Sequence, residues 1–208
     1  MATVITPSEQ TTLLRNISWA TYRSLLVDYK DSSAPRVTFD QGLLQIMSPS
    51  TRHERLNRRL ATFVEVVLEV REIEFDNVGS NTFKREDLQR GFEPDSSFYI
   101  QSVESVSDRE QIDLAVDPPP DVVIEIDITH PSLDKLPIFA AVGVPEVWRC
   151  DGAQVVILKL ASGSYVEATE SVALPRVTSD VLTRFMQASE QQKRTAWLRD
   201  VRAWARMK

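Results

Sequence analysis

The segment that most constrains the fold is residues 121–129, which read DVVIEIDIT. Successive side chains of a strand point to opposite faces, and here both faces carry branched apolar residues, which predicts a central strand covered on both sides. Three prolines at residues 118–120 precede it and end a polar stretch, which gives the strand a defined start. A chain of 208 residues, 42% of them hydrophobic, is long enough to bury such a strand in one core.

Three acidic residues interrupt this apolar strand. Asp121, Glu125 and Asp127 alternate with the apolar positions and therefore share one face. Ionised carboxylates are costly in apolar surroundings unless a partner compensates them. One interpretation is that Asp121 and Asp127 are solvated at the strand ends, so that only Glu125 needs a partner.

A second interpretation adds Asp95, which opens another predicted strand at residues 95–100. Carboxylates that two neighbouring strands direct to one point, here Asp95 and Glu125, form the oxygen site that Mg²⁺ or Mn²⁺ prefers. Such a cation polarises a phosphoryl oxygen and lowers the pKa of a bound water, while a nearby lysine stabilises developing charge. Spacing alone leaves both interpretations open, together with hydrolysis of another phosphate-containing substrate.

The remaining chain alternates helical and strand patterns without an internal repeat or a low-complexity linker. We expect a single α/β domain over residues 1–190, with residues 191–208 as a basic helix appended to it. The predicted helices cover residues 18–29, 52–71, 132–142, 179–189 and 192–207. Besides the two strands above, the predicted strands cover residues 36–39, 43–47, 72–78, 81–84, 146–150, 154–160 and 164–168.

Charge, cysteine content and hydropathy narrow the class of protein. The chain has 24 Lys+Arg against 30 Asp+Glu, a net charge of −6, which argues against coating nucleic acid through bulk positive charge. Cys150 is the single cysteine, so no intrachain disulfide or thiolate cluster is expected. The sequence begins without a signal-peptide pattern and has no apolar stretch of about 20 residues, so we expect a cytoplasmic protein that has no membrane partner.

Three stretches of the sequence resemble the Uma family of restriction-endonuclease-like proteins, which belongs to the PD-(D/E)xK nuclease superfamily. They are TYRSLLVDY leading into DQGLLQIMSPSTRHERLNRRL, then GFEPDSSFYI, and then PPPDVVIEIDITHPSLDKLPIFAAVGVPEVWRCDG. The resemblance covers residues 18–160. It implies an α/β restriction-endonuclease-like fold, in which helices flank a mixed central sheet, and a divalent-metal-dependent endonuclease that hydrolyses nucleic-acid phosphodiester bonds, with DNA as the expected partner.

The resemblance also implies roles for individual residues. Asp95 and Glu125 correspond to the acids of the signature that hold Mg²⁺ or Mn²⁺, and we expect Asp127 to complete the metal ligands. Asp127 stands where the signature usually has a lysine, and the Uma family has a lysine eight residues before the glycine of GVPE, which is Lys135 here. Lys84 is the alternative lysine, and a solvated helix-surface position is the alternative for Lys135. The departure at this position also keeps open a catalytically degenerate module that binds or regulates without cleavage.

His53 matches the histidine that follows SPS in that family. A catalytic or metal-proximal role and a histidine at the rim of the core, hydrogen-bonded to backbone, are both open. Glu54 is an alternative acid from the first long helix, although the helical period turns it away from the apolar face that carries His53.

Basic residues concentrate in two places. Residues 192–208 hold six basic residues and one acid, and Arg52, Arg55, Arg58 and Arg59 lie at the start of the long helix. Trp197, Val201 and Trp204 form a helical stripe in the first segment. We expect this stripe to pack on the domain, with a dimer contact or a nucleic-acid contact as alternatives, and we expect a homodimer. No helix-turn-helix, zinc-finger or RNP-like pattern is present, so the sequence indicates no base specificity.

Overall fold

The computed structural model describes residues 9–29, 34–128 and 133–207, and within them eleven strands and five helices form two sheets with flanking helices. The strands are β1 (Gln10–Leu14), β2 (Arg36–Asp40), β3 (Leu43–Ser48), β4 (Asp76–Asn77), β5 (Phe83–Arg85), β6 (Arg90–Phe92), β7 (Ser96–Tyr99), β8 (Val122–Ile126), β9 (Glu146–Cys150), β10 (Val155–Ala161) and β11 (Ser164–Ala168). The helices are α1 (Trp19–Asp28), α2 (Thr51–Val70), α3 (Leu136–Val142), α4 (Ser179–Gln191) and α5 (Arg194–Ala205).

The two sheets differ in strand direction. The first sheet has the order β1-β3-β2-β6-β5, and its paired strands are antiparallel. The second sheet has the order β11-β10-β9-β8-β7-β4, in which β8 and β9 run parallel while the other neighbours are antiparallel. The mixed second sheet with helices against it confirms the expected fold class.

Strand β8 is the buried centre of the second sheet. Its five residues are all buried. Val122, Ile124 and Ile126 pack into a core with residues of α2, α4 and α5. Val123 faces the other side, where it packs in a second core with Phe139 of α3. The prediction of a central strand covered on both faces is confirmed.

Helix α2 begins beside the end of β8 and carries a histidine in its first turn. The Ser50 side chain caps the helix by accepting a hydrogen bond from the backbone N–H of His53 at 3.2 Å, which satisfies one of the free donors of the helix start. Leu60, Val64 and Val67 cover the second sheet with almost no exposure. The same apolar face directs the His53 side chain inward, where it is completely buried.

Helix α5 packs its tryptophans within the chain. Trp197 is 1% exposed, and its indole N–H donates to the backbone oxygen of Phe185 at 2.8 Å. The Trp204 ring packs against the rings of Phe63 and Phe185. The expectation that this stripe packs on the domain is confirmed, so the stripe no longer supports a homodimer. The homodimer stays a prediction, which light scattering can test.

The sequence-based assignment of strands and helices needs three corrections. Only Asp76–Asn77 of the predicted strand at residues 72–78 is paired as a strand. The predictions missed β1 and β6 altogether. The predicted helix at residues 132–142 begins at Leu136 in the structure, and the first residue of the prediction lies outside the described residues.

Within the described ranges, no helix combines the length and the apolarity that crossing a bilayer requires.

Candidate active site

Asp95 lies beside the end of β8 and is fixed by backbone contacts. One carboxylate oxygen, Oδ2, accepts a hydrogen bond from the backbone N–H of Ile126 at 2.6 Å. Its own backbone oxygen accepts from the Asn57 side-chain amide of α2 at 2.8 Å. The side chain is 1% exposed. Since Ile126 follows Glu125 directly, Asp95 is held next to the end of β8 that carries Glu125.

Glu125 and Lys135 form a buried ion pair. The Lys135 Nζ lies 2.7 Å from the Glu125 Oε2, and Lys135 occupies the position just before α3, whose first turn contains a proline. Burial raises the pKa of Glu125, and the Lys135 ammonium opposes that shift. The second carboxylate oxygen, Glu125 Oε1, is buried and accepts no hydrogen bond from the described residues.

His53 contacts Asp95 as a neutral imidazole. Its Nε2 lies 3.3 Å from the Asp95 Oδ2. Burial lowers the pKa of His53 to about 3, and the neighbouring cations Arg36 and Lys135 lower it further in the same direction. The ring is therefore uncharged at neutral pH and lies beside the carboxylate as a neutral group.

Arg36 is a member of this group that sequence reasoning missed. Its guanidinium pairs with Asp95 through Nη1 and with Glu54 through Nη2, which lies 2.5 Å from the Glu54 Oε1. Arg36 is only 6% exposed. The one sequence signal for its burial was its position at the start of the predicted strand β2. Glu54 is consequently paired with Arg36.

Asp127 and Lys84 lie in different surroundings. Asp127 follows β8, and its Oδ2 accepts from the Arg149 Nε of β9 at 2.5 Å. Sequence reasoning also missed Arg149, because the sequence does not indicate that β9 pairs with β8 and so brings Arg149 to Asp127. Lys84 lies on β5, where its side chain is exposed.

Glu125, Asp127, Lys135 and Arg149 line one cleft between the two sheets, whereas Asp95, His53 and Arg36 are buried and are not among its lining residues. The first sheet contributes Thr11, Gln45 and Met47 to its wall. The facing wall is formed by Glu125, Ile126, Asp127, Lys135 and Arg149, and by apolar residues of α3 and β9. The cleft therefore combines carboxylates with an ammonium and a guanidinium.

The Glu125 carboxylate fits a hard divalent cation, whereas the Asp95 carboxylate is already paired with Arg36. No group of three or more His, Cys, Asp or Glu residues in the described ranges is arranged as a complete metal cage. Mg²⁺ does not need one, because it is usually held by one or two carboxylates and keeps several waters. The orphaned Glu125 Oε1 is a buried acceptor of the required kind.

One solved structure supports the fold through similarity of shape. The crystal structure of a "putative nuclease belonging to DUF820" from Anabaena variabilis superposes with a TM-score of 0.54 at 14% sequence identity. The match covers 82% of this chain and 99% of that one. Comparison with curated proteins gives no match.

A family model provides the assignment of the chain itself. The model of the Uma2 family, described as "Putative restriction endonuclease", matches residues 19–186. The match runs from α1 into α4 and includes every residue of the cleft that β8, β9 and the start of α3 contribute. The chain therefore belongs to the Uma2 family of "Putative restriction endonuclease" proteins.

Proposed function

We propose that the chain is a divalent-cation-dependent endonuclease that hydrolyses phosphodiester bonds, with DNA as its substrate. The observation that carries this proposal is the ion pair between Lys135 and Glu125, whose atoms lie 2.7 Å apart in a cleft. Asp95 stands at the same edge of the sheet, held by the N–H of Ile126. Family membership supports nuclease activity in general.

Asp95 and Glu125 would hold Mg²⁺ or Mn²⁺, with Asp127 as a further ligand. The bound cation would supply Lewis-acid polarisation of the phosphate and a lowered pKa for a bound water. Lys135 would donate hydrogen bonds to the phosphoryl oxygens, where negative charge develops, or orient the attacking water. His53 is the positioning residue for the Asp95 carboxylate.

Arg149 extends the positive side of the cleft to its rim. Its side chain is 40% exposed while it pairs with Asp127. A guanidinium in this position can bind a phosphate of the substrate with its remaining donors. Such a contact would orient the nucleic-acid backbone in the cleft without reading bases.

A plasmid-nicking assay in Mg²⁺ and in Mn²⁺ tests this proposal. We expect Glu125→Ala to abolish nicking and Lys135→Ala to slow it by about 10²-fold or more, the usual loss when one charge-stabilising donor is removed. Lys84→Ala is the matched control, since it removes an exposed lysine outside the cleft. Equal nicking by the wild type and Glu125→Ala would contradict the site, and a loss confined to Lys84→Ala would transfer the lysine role to that residue.

The ion pair between Arg36 and Asp95 favours a second candidate, a module that binds nucleic acid without cleaving it. In this pair a guanidinium already neutralises the carboxylate that would hold the cation. Such a module would bind DNA with no nicking in either cation. Nicking that depends on Glu125 would eliminate it.

A further inference from the structure

We propose that arginines of α2 and α5 form a second nucleic-acid contact, a phosphate-binding groove outside the cleft. The groove is defined by Arg55, Arg58 and Arg59 of α2 and by Arg194 at the start of α5. This inference rests on the proposed function, because it assigns the groove to the backbone of the same nucleic acid.

The helical period places these guanidiniums together. Arg58 and Arg59 follow Arg55 by three and four residues, so both lie beside it one turn further along α2. Arg194 joins them from α5, with its Nη2 3.2 Å from the Thr62 Oγ1 of the next turn. The floor is formed by Trp197, whose burial by the main core fixes α5 in place.

The positive charge of the groove is poorly compensated. Among its arginines, Arg59 alone forms an ion pair within the described residues, 3.5 Å from the Glu190 Oε1. Burial lowers the pKa of Arg59, and the charges of Arg55 and Arg194 add to this effect. A concentration of unpaired guanidiniums in a chain of net charge −6 points to an anion that fits between them, and Arg forks match phosphate oxygens.

Arg52 extends the row of arginines on α2 toward the segment that follows β8. Arg52 lies one turn before Arg55, and its Nη2 is 3.4 Å from the position that a Cβ would take on Gly152. The same position is 3.0 Å from Ile128, the residue after Asp127 of the cleft wall. From Arg52 to Arg59 the helix rises about 10 Å, which corresponds to about three base-pair steps along the axis of a duplex.

Nucleic acid suits this groove better than an acidic protein segment. Protein interfaces are usually anchored by accessible aromatic side chains, and the one aromatic residue of the groove, Trp197, is 1% exposed. What the groove offers a ligand is charge along a helix, which is the usual footprint of contact with a phosphate backbone.

Equilibrium binding of a fluorescein-labelled DNA duplex, measured by anisotropy in EDTA, tests the groove without cleavage. We expect the double variant Arg55→Gln/Arg58→Gln to bind about ten-fold more weakly at moderate salt. Its plot of log K against log salt should be shallower by about 1.8, or about 0.9 for each lost phosphate contact. Both side chains are exposed, so the fold should persist, which the thermal midpoint checks.

Arg15→Gln/Arg23→Gln is the matched control, since it removes the same charge from two exposed arginines of another surface. The groove is supported when only the first double variant lowers the salt slope. An unchanged slope, or equal weakening by both double variants, overturns it. Arginine-dependent binding of poly-glutamate without arginine-dependent binding of DNA also overturns it, in favour of an acidic protein partner.

The nicking assay separates failure of the groove from failure of the proposed function. Nicking that requires Glu125, together with DNA binding that ignores Arg55 and Arg58, keeps the endonuclease and overturns the groove. Arginine-dependent DNA binding with no nicking in Mg²⁺ or Mn²⁺ keeps the groove and contradicts the endonuclease. A wild type that binds no duplex overturns the groove whatever the nicking assay gives.

Discussion

The burial of His53 beside Asp95 makes the stability of the fold depend on pH. The ring is completely buried and lies 3.3 Å from the Asp95 carboxylate. Because desolvation penalises the charged imidazole, and the Arg36 and Lys135 cations disfavour it further, the pKa falls to about 3. A histidine that stays neutral in the folded state and charges in the unfolded state makes stability depend on pH.

We predict that His53 destabilises the metal-free protein as the pH falls. The unfolded state binds its proton near the ordinary pKa of about 6.5, whereas the folded state binds it only near 3. The contribution of the neutral His53 to stability is therefore fully present above about pH 6.5 and is lost as the pH falls toward about 3. At about pH 5 the loss is about 2 kcal/mol relative to neutral pH.

Urea unfolding of the wild type and of His53→Gln in EDTA, at about pH 7 and about pH 5, measures this contribution. The variant should lose about 2 kcal/mol less between the two pH values. The raised pKa of Glu125 acts in the opposite direction, and it cancels in the comparison because both proteins retain that residue. The same pH dependence in both proteins would show that His53 does not titrate as described.

Asp121 and Glu125 share a strand face but have different partners. The Asp121 Oδ2 accepts from the backbone N–H groups of Ile100 at 2.7 Å and Ser102 at 3.0 Å, so this acid fixes the chain after β7. Period-two alternation predicts the shared face from sequence alone. It cannot identify the partners, because they come from other segments that only the folded chain brings to each end of β8.

We predict that Asp121→Ala lowers the free energy of unfolding by about 3 kcal/mol, since three hydrogen bonds to a buried carboxylate are lost. The variant should bind Mn²⁺ in isothermal titration as the wild type does. Glu125→Ala should give the reverse pattern, with Mn²⁺ binding lost. A change in Mn²⁺ affinity on replacing Asp121 would mean that the two acids are not separate.

The elements differ in how far sequence predicts them. α2 is predictable because its apolar period extends over 20 residues and Ser50 caps it. β1 is largely exposed, and β6 has only three residues around Gly91, so neither has a local signal. The need for glycine at position 91 is visible only in the fold, where a Cβ would clash with the Tyr22 hydroxyl. Long-range pairing with β3 and β2 defines these two strands.

At the same scale, α5 should be required for the stability of the domain. Trp197 is 1% exposed and hydrogen-bonded to Phe185, so Trp197→Ala should cost about 3–5 kcal/mol, as for other buried aromatic residues. Trp204, which is only partly buried, should cost less when changed to Ala. Denaturant unfolding of the two variants measures both. Equal, small losses would show that residues 191–208 are an appendage with no part in the core.

In the whole molecule, the cleft lies where the two sheets meet, so a cation bound there should stabilise the fold by mass action. At a concentration about 100 times its dissociation constant, a cation that binds only the folded state adds about 2.7 kcal/mol. We predict such an increment for the wild type in Mg²⁺ or Mn²⁺ relative to EDTA, measured as a shift of the urea midpoint.

Glu125→Gln should lose this increment, because the amide keeps the shape of the side chain but cannot supply the negative oxygen that the cation requires. Asp134→Asn is the matched control: Asp134 also lines the cleft, but it is exposed, so removing its charge should leave the increment in place. Asp127→Asn should give an intermediate result if Asp127 exchanges its contact with Arg149 for the cation. An increment that survives in Glu125→Gln would locate the cation elsewhere and remove the physical basis of the proposed chemistry.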